Sequence, residues 1–270
     1  MMIVWFLAAG AFAGVCAGLF GVGGGMIIVP ALVWIFTAYG YSPAIIAHLA
    51  VGTSLATIIV TSISSLTAHN KRGGVRWDVW KNMAIGLVIG SLLGAAIAEQ
   101  IHGLMLQALI GAGALLIAFK MLFLSNKENL GKALPSAPVQ VGAGSGIGMA
   151  SAIFGIGGGS LTVPFLTWAG LPMRQAVGTS AACGLPIALA GAIGFAWFGQ
   201  NVAELPPGAV GFVHVIGFIC ISFASFITAK LGAKWAHQLP AATLKKSFGV
   251  LLLIAGSQLL WSGLSGMNII

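Results

Sequence analysis

The sequence predicts an all-α integral membrane protein with two inverted-topology repeats of about five helical segments each, and short broken or re-entrant helices after glycine-rich motifs. Of its 270 residues, 59% are hydrophobic and 6% are charged, and the mean hydropathy is +1.04. This composition excludes a water-soluble globule. Charge-free runs long enough for bilayer-spanning helices, which need about 20 residues, cover most of the chain, and two glycine-containing motifs occur once in each half.

The apolar runs divide into ten segments, five in each half, and no charged residue precedes Lys71. The predicted organisation is an N-terminal repeat over 1–125, a cytoplasmic linker over 126–137 and a C-terminal repeat over 138–270. The segments are expected at about 2–20, 26–37, 43–68, 82–98 and 103–124, then at about 138–154, 160–170, 174–198, 207–229 and 243–263.

Two motifs recur in the same order in the two halves, which indicates a duplication. Gly-Val-Gly-Gly-Gly at 21–25 returns as Gly-Ile-Gly-Gly-Gly at 155–159. Ala-Val-Gly-Thr-Ser at 50–54 returns unchanged at 176–180.

The positions of the charged loops indicate that the second repeat is inverted. In the first half the basic loop, 71–81, follows the third segment, whereas in the second half the basic stretch, 230–246, follows the fourth. With five segments per repeat, counting crossings places both basic loops on one side and Glu99 and Glu204 on the other. The result is the same if the first two segments of each half are a re-entrant pair and not two full crossings. Positive loops mark the cytoplasmic side, so we expect a plasma (cell inner) membrane protein with both termini outside.

The second segment of each half is too short to cross a bilayer. Segments 26–37 and 160–170 would extend about 16–18 Å as helices, against a hydrocarbon core of about 30 Å. Each follows three consecutive glycines, and unwound backbone at membrane depth is tolerated only inside protein or beside a cavity. A helix beginning there directs free N–H groups and a positive dipole end toward that cavity, which favours an anion. Close helix packing through small residues is the alternative.

Hydroxyl groups accompany both glycine breaks. A Thr-Ser pair occupies equivalent positions in the third segment of each half, and Ser160 begins the second short helix where the first has Met26. Such hydroxyls can instead bond to carbonyls of their own helix. The expected substrate-binding residues are Gly23, Gly24, Gly25, Thr53, Ser54, Gly157, Gly158, Gly159, Ser160, Thr179 and Ser180.

Few ionisable residues fall within the apolar segments. His48 is the first candidate for proton coupling, and His214, roughly two turns into its segment, is another; an ordinary hydrogen-bonded histidine is the alternative for each. Arg174 could attract anions at the inner mouth, although topology alone explains it. The sequence has no paired carboxylates in a pocket, metal-ligand cluster or phosphate loop. We therefore expect no enzyme activity, cofactor or metal.

The paired motifs resemble the sulfite exporter TauE/SafE family along essentially the whole chain. By position, the resemblance includes 21–25, Pro30, 52–54, 155–159, Pro164 and 178–180. It implies export of a small sulfur-containing anion, such as sulfite or sulfoacetate, across the plasma membrane.

These observations predict a secondary transporter that binds its anion at mid-membrane and works by alternating access. An anion channel and a non-transporting membrane scaffold or assembly factor are the alternatives. The expected partners are a small anionic substrate and the lipid bilayer, and no nucleic acid, because topology explains the net charge of +8. The glycine-rich helix faces also allow a homodimer.

Overall fold

The computed structural model describes residues 1–20, 24–123, 134–236 and 241–268, and these are almost entirely helical. Seven of their helices are long and apolar enough to cross a membrane, which confirms the prediction of an all-α, multi-pass membrane protein. The helices are α1 (Met2–Phe20), α2 (Gly25–Ala38), α3 (Pro43–Lys71), α4 (Trp77–Gln100), α5 (Gly103–Phe123), α6 (Ala137–Phe154), α7 (Gly159–Trp168), α8 (Met173–Phe198), α9 (Val215–Ala236) and α10 (Ala241–Gly266). Strands β1 (Ala209–Val210) and β2 (Val213–His214) form a short antiparallel ribbon.

Two helix starts differ from the prediction. Helix α4 begins at Trp77 rather than near 82. The prediction started after the charged residues, but these residues form the first turns of the helix. Helix α9 begins at Val215 rather than near 207, after turns that follow Pro206 and Pro207 and after the β ribbon. His214 therefore lies in β2 and not two turns inside a helix. Most of the predicted linker over 126–137 lies outside the described residues.

The two ends of the helical bundle carry different charges. At one end, which we call the acidic end, Glu99 and Glu204 line a vestibule together with Ala44, which lies in the first turn of α3. At the opposite end of α3, the basic end, the carbonyl of Arg72 accepts a hydrogen bond from Arg174. Helix α3 therefore runs from the acidic end to the basic end.

The outer helices form close pairs that join the two halves of the chain. Helix α1 packs on α9, and α4 packs on α6. At Gly10, an added Cβ would lie 2.7 Å from the Cα of Ile221, so no larger residue fits without a shift. The Ser225 hydroxyl also donates a hydrogen bond to the Gly10 carbonyl, at 2.8 Å. On α4, Gly86, Gly90 and Gly94 lie against the backbone of α6 in the same way, as in small-residue interfaces of membrane helices.

Helices α3 and α8 cross at the centre of the molecule and are the two most buried of the seven long apolar helices. Leu55, Ile58, Ile187 and Phe195 are almost completely inaccessible there. Gly191 leaves the space that Leu55 fills, since a Cβ at Gly191 would lie 2.8 Å from Leu55 Cδ1. We call these four apolar side chains the plug. The short helices α2 and α7 pack on α3 and α8, respectively.

The glycine contacts predict that an added methyl group will have different effects on the free energy of unfolding at two nearby positions of α6. In Gly148→Ala the new Cβ meets the backbone carbonyl of Leu87, whereas at Gly146 a Cβ meets nothing within 4 Å. We expect Gly148→Ala to lower the free energy of unfolding by about 1–3 kcal/mol through overpacking. Gly146→Ala should leave it unchanged or raise it by up to about 1 kcal/mol, through helix propensity.

Thermal unfolding of both variants in the same detergent measures this difference. Equal melting temperatures for the two variants would contradict the close approach of α4 and α6.

Candidate functional site

The second glycine break forms a sharp turn that ends α6 and begins α7. Gly155 caps α6 with a φ of 65°, a left-handed conformation that favours glycine. After the turn, the N–H groups of Leu161 and Thr162 donate to the Gly158 carbonyl at 3.2 and 2.7 Å. The amides of Gly159 and Ser160 belong to the first turn of α7, where N–H groups have no acceptor within the helix. The turn therefore presents free donors at the positive end of a helix dipole.

A small cavity, which we call the hydroxyl cavity, lies at the start of α7, between α3 and α8. Its volume is about 30 Å³, close to the share of one water molecule in the liquid. Ser62, on its wall, lies about 14 Å along α3 from Lys71, which places the cavity on the basic side of the plug. Among the residues that the structure describes, the lining contains hydroxyls, glycines and small apolar side chains but no charged side chain: Thr61, Ser62, Ser65, Gly157, Gly158, Gly159, Val163, Val177, Ser180, Ala181 and Gly184.

Three buried hydroxyls around this turn have no hydrogen-bond partner. They belong to Ser160, Thr162 and Ser180, and the residues Thr162 and Ser180 are 0% and 1% exposed. A buried polar group left unpaired costs about 1–3 kcal/mol, so most such groups in folded proteins are paired. Ser180 lines the cavity, whereas Ser160 and Thr162 lie beside it in the first turns of α7, outside the lining.

The other predicted hydroxyls already have partners, and two of these bonds are reciprocal between the halves. The Thr53 hydroxyl accepts a hydrogen bond from the backbone N–H of His214 at 2.9 Å, and the Thr179 hydroxyl accepts one from the N–H of Arg76 at 3.0 Å. Ser54 donates to the Gly155 carbonyl at 2.8 Å. These contacts tie each repeat motif to the opposite half of the chain, and the role of the three side chains as anion ligands stays a prediction.

The first glycine break contacts the second but lies in a different environment. Gly23 is outside the described residues, and Gly24 precedes α2 with a φ of 66°. A Cβ at Gly25 would lie 2.7 Å from the Gly155 carbonyl, so the two breaks touch. Beside the start of α2 is an apolar cavity of about 20 Å³, lined by residues that include Met26 and Ile156. The structure therefore does not place Gly24 and Gly25 in the lining of the hydroxyl cavity.

His48 lies at the acidic end, on the other side of the plug. It lines a vestibule of about 410 Å³ together with Glu99, His102 and Glu204. Its Nε2 is 2.9 Å from the Ala98 carbonyl oxygen, and its Nδ1 has no partner. Along α3, His48 precedes the cavity residue Thr61 by about 20 Å. The imidazole is therefore separate from the hydroxyl cavity, and proton coupling through it stays a prediction.

Two further sequence candidates lie away from the cavity. Arg174 is exposed at the basic end and donates to the Arg72 carbonyl. The imidazole Nδ1 of His214 accepts a hydrogen bond from the Gly217 N–H at 3.0 Å, and its ring packs against Phe6 and Phe36. Burial lowers the pKa of His214 below its ordinary value. The contacts of His214 are those of a packed, neutral histidine.

Four hydroxyl residues near the cavity were missed by the sequence interpretation. Thr61, Ser62 and Ser65 lie on α3, and Thr162 lies one turn into α7. A visible signal was the spacing of 61, 62 and 65, which places three hydroxyls on one helix face within an apolar segment. Thr162 gave no such signal, because the corresponding residue in the first repeat is Ile28.

Comparison with known proteins identifies relatives along nearly the whole chain. The family model described as Sulfite exporter TauE/SafE matches residues 6–259. A probable membrane transporter protein of Haemophilus influenzae is 33% identical over 252 residues, covering 93% of this chain and 96% of the relative. Probable membrane transporter protein MJ0441 of Methanocaldococcus jannaschii is 26% identical, with 95% and 94% covered. YunE of Bacillus subtilis, also a probable membrane transporter protein, is 26% identical, with 98% and 99% covered. No solved structure matches.

The bond between Thr53 and the backbone of His214 predicts a stability cost for the isosteric change Thr53→Val. Removal of the hydroxyl leaves the buried His214 N–H without an acceptor, so we expect the free energy of unfolding to fall by about 1–3 kcal/mol. Thr57→Val is the matched control on α3, since the Thr57 hydroxyl bonds only to the Ser54 carbonyl of the same helix.

Denaturation of the two variants in detergent provides the measurement. Thr57→Val should cost less than about 1 kcal/mol, and an equal or larger loss in that control would contradict the role assigned to Thr53.

Proposed function

Because the chain belongs to the sulfite exporter TauE/SafE family, we propose that this membrane transporter exports a small sulfur-containing anion such as sulfite, sulfoacetate or a related organosulfonate. The anion binds in the hydroxyl cavity at the start of α7. The observation that carries this assignment is the buried, unpartnered hydroxyl of Ser180 in the cavity lining, beside the first turn of α7. The unpartnered hydroxyls of Ser160 and Thr162 lie at the same helix start, outside the lining. Transport breaks no covalent bond, so the proposal includes no catalytic residue, cofactor or metal.

The chemistry of the cavity suits an oxyanion. Sulfite and sulfonate groups carry several acceptor oxygens and no donors when ionised. The cavity offers donors of three kinds: the amide of Gly159 in the first turn of α7, the hydroxyl of Ser180 on α8, and the hydroxyls of Ser62 and Ser65 on α3. The third α3 hydroxyl of the lining, that of Thr61, donates to the Ile58 carbonyl of its own helix. Backbone amides at a helix start bind anions without a cationic side chain. Because such a site holds the anion through hydrogen bonds and not through a cationic side chain, it still permits release.

We propose alternating access between two inverted repeats as the mechanism. The feature that supports it is the plug, which separates the cavity from the acidic vestibule. The reciprocal bonds of Thr53 and Thr179 support the equivalence of the two halves. Transfer requires the plug to part on the acidic side while the basic side closes. The cavity volume of about 30 Å³ implies that the helices separate slightly when the anion enters.

The direction of transport follows from the assignment of the basic end to the cytoplasm. An interior-negative potential favours anion exit by about 2.3 kcal/mol per charge for each 100 mV, so export needs no coupled ion. If a proton is coupled, His48 is the residue that we expect to carry it, since it lies in the vestibule on the outer side.

Transport of sulfite should depend on Ser180 and not on a similar serine elsewhere. Ser180→Ala removes a cavity donor, and we expect it to raise the KM for sulfite counterflow about five- to tenfold, corresponding to about 1–1.4 kcal/mol for one hydrogen bond. Ser222→Ala is the matched control, because its hydroxyl is also buried and unpartnered but lies on α9, outside the cavity lining.

Proteoliposomes that contain the purified protein allow this measurement, with sulfite, sulfoacetate, sulfate and taurine as substrates. Saturable counterflow supports a carrier, flux without counterflow indicates a channel, and no flux of any of these anions in a folded preparation contradicts the proposal and favours a scaffold. An equal KM change in both serine variants would contradict the assigned cavity.

Accessibility of engineered cysteines tests the proposed orientation. Asn201→Cys lies in the exposed loop after α8 at the acidic end, and Lys81→Cys is exposed at the start of α4 at the basic end. A membrane-impermeant maleimide added to intact cells should label the Asn201 variant, and should label the Lys81 variant only after permeabilisation. The parent chain is the control for labelling of the native cysteines, of which Cys16 and Cys183 are buried and Cys220 is partly exposed within α9. The reverse labelling pattern would contradict the orientation.

A further inference from the structure

A second concave surface lies at the basic end, on a different face of α3 from the hydroxyl cavity. It is a groove of about 620 Å³ between the last turns of α3 and helix α9. Its lining shares no residue with the hydroxyl cavity. The lining residues are Val60, Ile63, Ser64, Thr67, Ala68, Lys71, Arg72 and Phe226.

The lining changes from apolar to basic along the groove. Val60, Ile63 and Phe226 form the deeper part, and Lys71 and Arg72 form the outer part. From Val60 to Lys71 the helix rises about 16 Å, close to half of a hydrocarbon core of about 30 Å. The groove therefore extends over the depth of one bilayer leaflet. Ile63 and Phe226 are 51% and 48% exposed, so its apolar wall is open to the surrounding lipid.

The cations at the outer part of the groove have no acidic counterpart nearby among the described residues. At the basic end the acidic side chain in that part of the chain is Asp78, and it is paired with Arg76 at 2.6 Å. On the α9 side of the groove, Lys230 Nζ lies 5.5 Å from the centre of the Phe226 ring. Three cations, Lys71, Arg72 and Lys230, thus flank one groove from two helices. The positive-inside rule explains charge at this membrane surface, but it does not require an apolar groove of leaflet depth beneath the charges.

We propose that this groove binds an anionic phospholipid of the leaflet at the basic end. The phosphate lies between Lys71, Arg72 and Lys230, and an acyl chain follows the apolar wall formed by Val60, Ile63 and Phe226. Basic pockets between membrane helices are suited to anionic head groups, and the hydroxyls of Ser64 and Thr67 lie at intermediate depth, near the glycerol region. The transported anion does not match this surface, because it is small and has no long apolar part to cover the wall. The inference is independent of the proposed function.

Removal of the two α3 cations should abolish selectivity for the anionic lipid. We expect the purified protein to retain phosphatidylglycerol over phosphatidylcholine by about tenfold in native mass spectrometry, and Lys71→Ser/Arg72→Ser to reduce this ratio to near one. Lys81→Ser/Lys246→Ser is the matched control, because it removes the same charge at exposed positions outside the groove lining, and it should retain the selectivity. Equal loss in both double variants would overturn the proposal, since it would indicate a response to net charge alone.

A second variant and a soluble competitor test the apolar part of the site. Ile63→Ser keeps every charge and should weaken retention of phosphatidylglycerol about three- to tenfold, because Ile63 is on the proposed acyl wall. Glycerol phosphate at the same concentration as the lipid should not displace it. Unchanged retention in Ile63→Ser, or full displacement by glycerol phosphate, would overturn the proposal in favour of a simple phosphate site.

Discussion

The requirement that every backbone polar group inside a bilayer be satisfied or enclosed controls this structure. Long helices meet the requirement with their own hydrogen bonds, but the glycine break between α6 and α7 does not, because it leaves amides of the first turn without helical acceptors. The structure encloses this break between the two most buried helices, α3 and α8. Ser54 satisfies the Gly155 carbonyl on one side, while the hydroxyls of Thr162 and Ser180 stay unpaired on the other. The same enclosure that makes an unwound segment tolerable also surrounds the start of α7 with hydroxyl groups, which is the arrangement on which the proposed anion site rests.

The central crossing also explains how one cavity can be isolated from the opposite membrane face. Helix α3 carries, in order, the vestibule residue His48, the plug residues Leu55 and Ile58, and the cavity residues Thr61, Ser62 and Ser65. A shift of α3 against α8 would therefore act on both sides of the plug at once. The bonds made by Thr53 and Thr179 anchor each motif to the opposite half, so a movement of the kind proposed for alternating access has to break or preserve these two bonds together.

Much of the fold could be predicted from the sequence, because charge-free runs and loop charges follow directly from the cost of charged groups in lipid. The ten segments agree with the observed helices within a few residues, apart from the start of α4 and both ends of α9. Charged residues in the first turns of α4, and the turns after the prolines before α9, hid the two starts, and α9 continues to Ala236 through basic residues that the prediction assigned to a loop. The duplicated glycines correctly indicated where α2 and α7 begin, and among the described residues the unpartnered hydroxyls lie at the second break. Sequence position could not show that Thr53 and Thr179 would bond to distant backbone amides, since those partners are 161 and 103 residues away. Nor could it show that Thr61, Ser62 and Ser65 would complete the cavity.

The most direct test of the central claim is the position of a bound anion. Selenite has the charge and shape of sulfite and carries an anomalous scatterer, so crystals of the protein soaked in selenite would reveal the site by anomalous diffraction. We expect a selenium peak at the start of α7, with its oxygens within hydrogen-bond distance of the Gly159 amide and the Ser180 hydroxyl, and no peak at this position in the presence of excess sulfite. A peak confined to the acidic vestibule or to the basic groove would contradict the assignment of the second glycine break as the anion site.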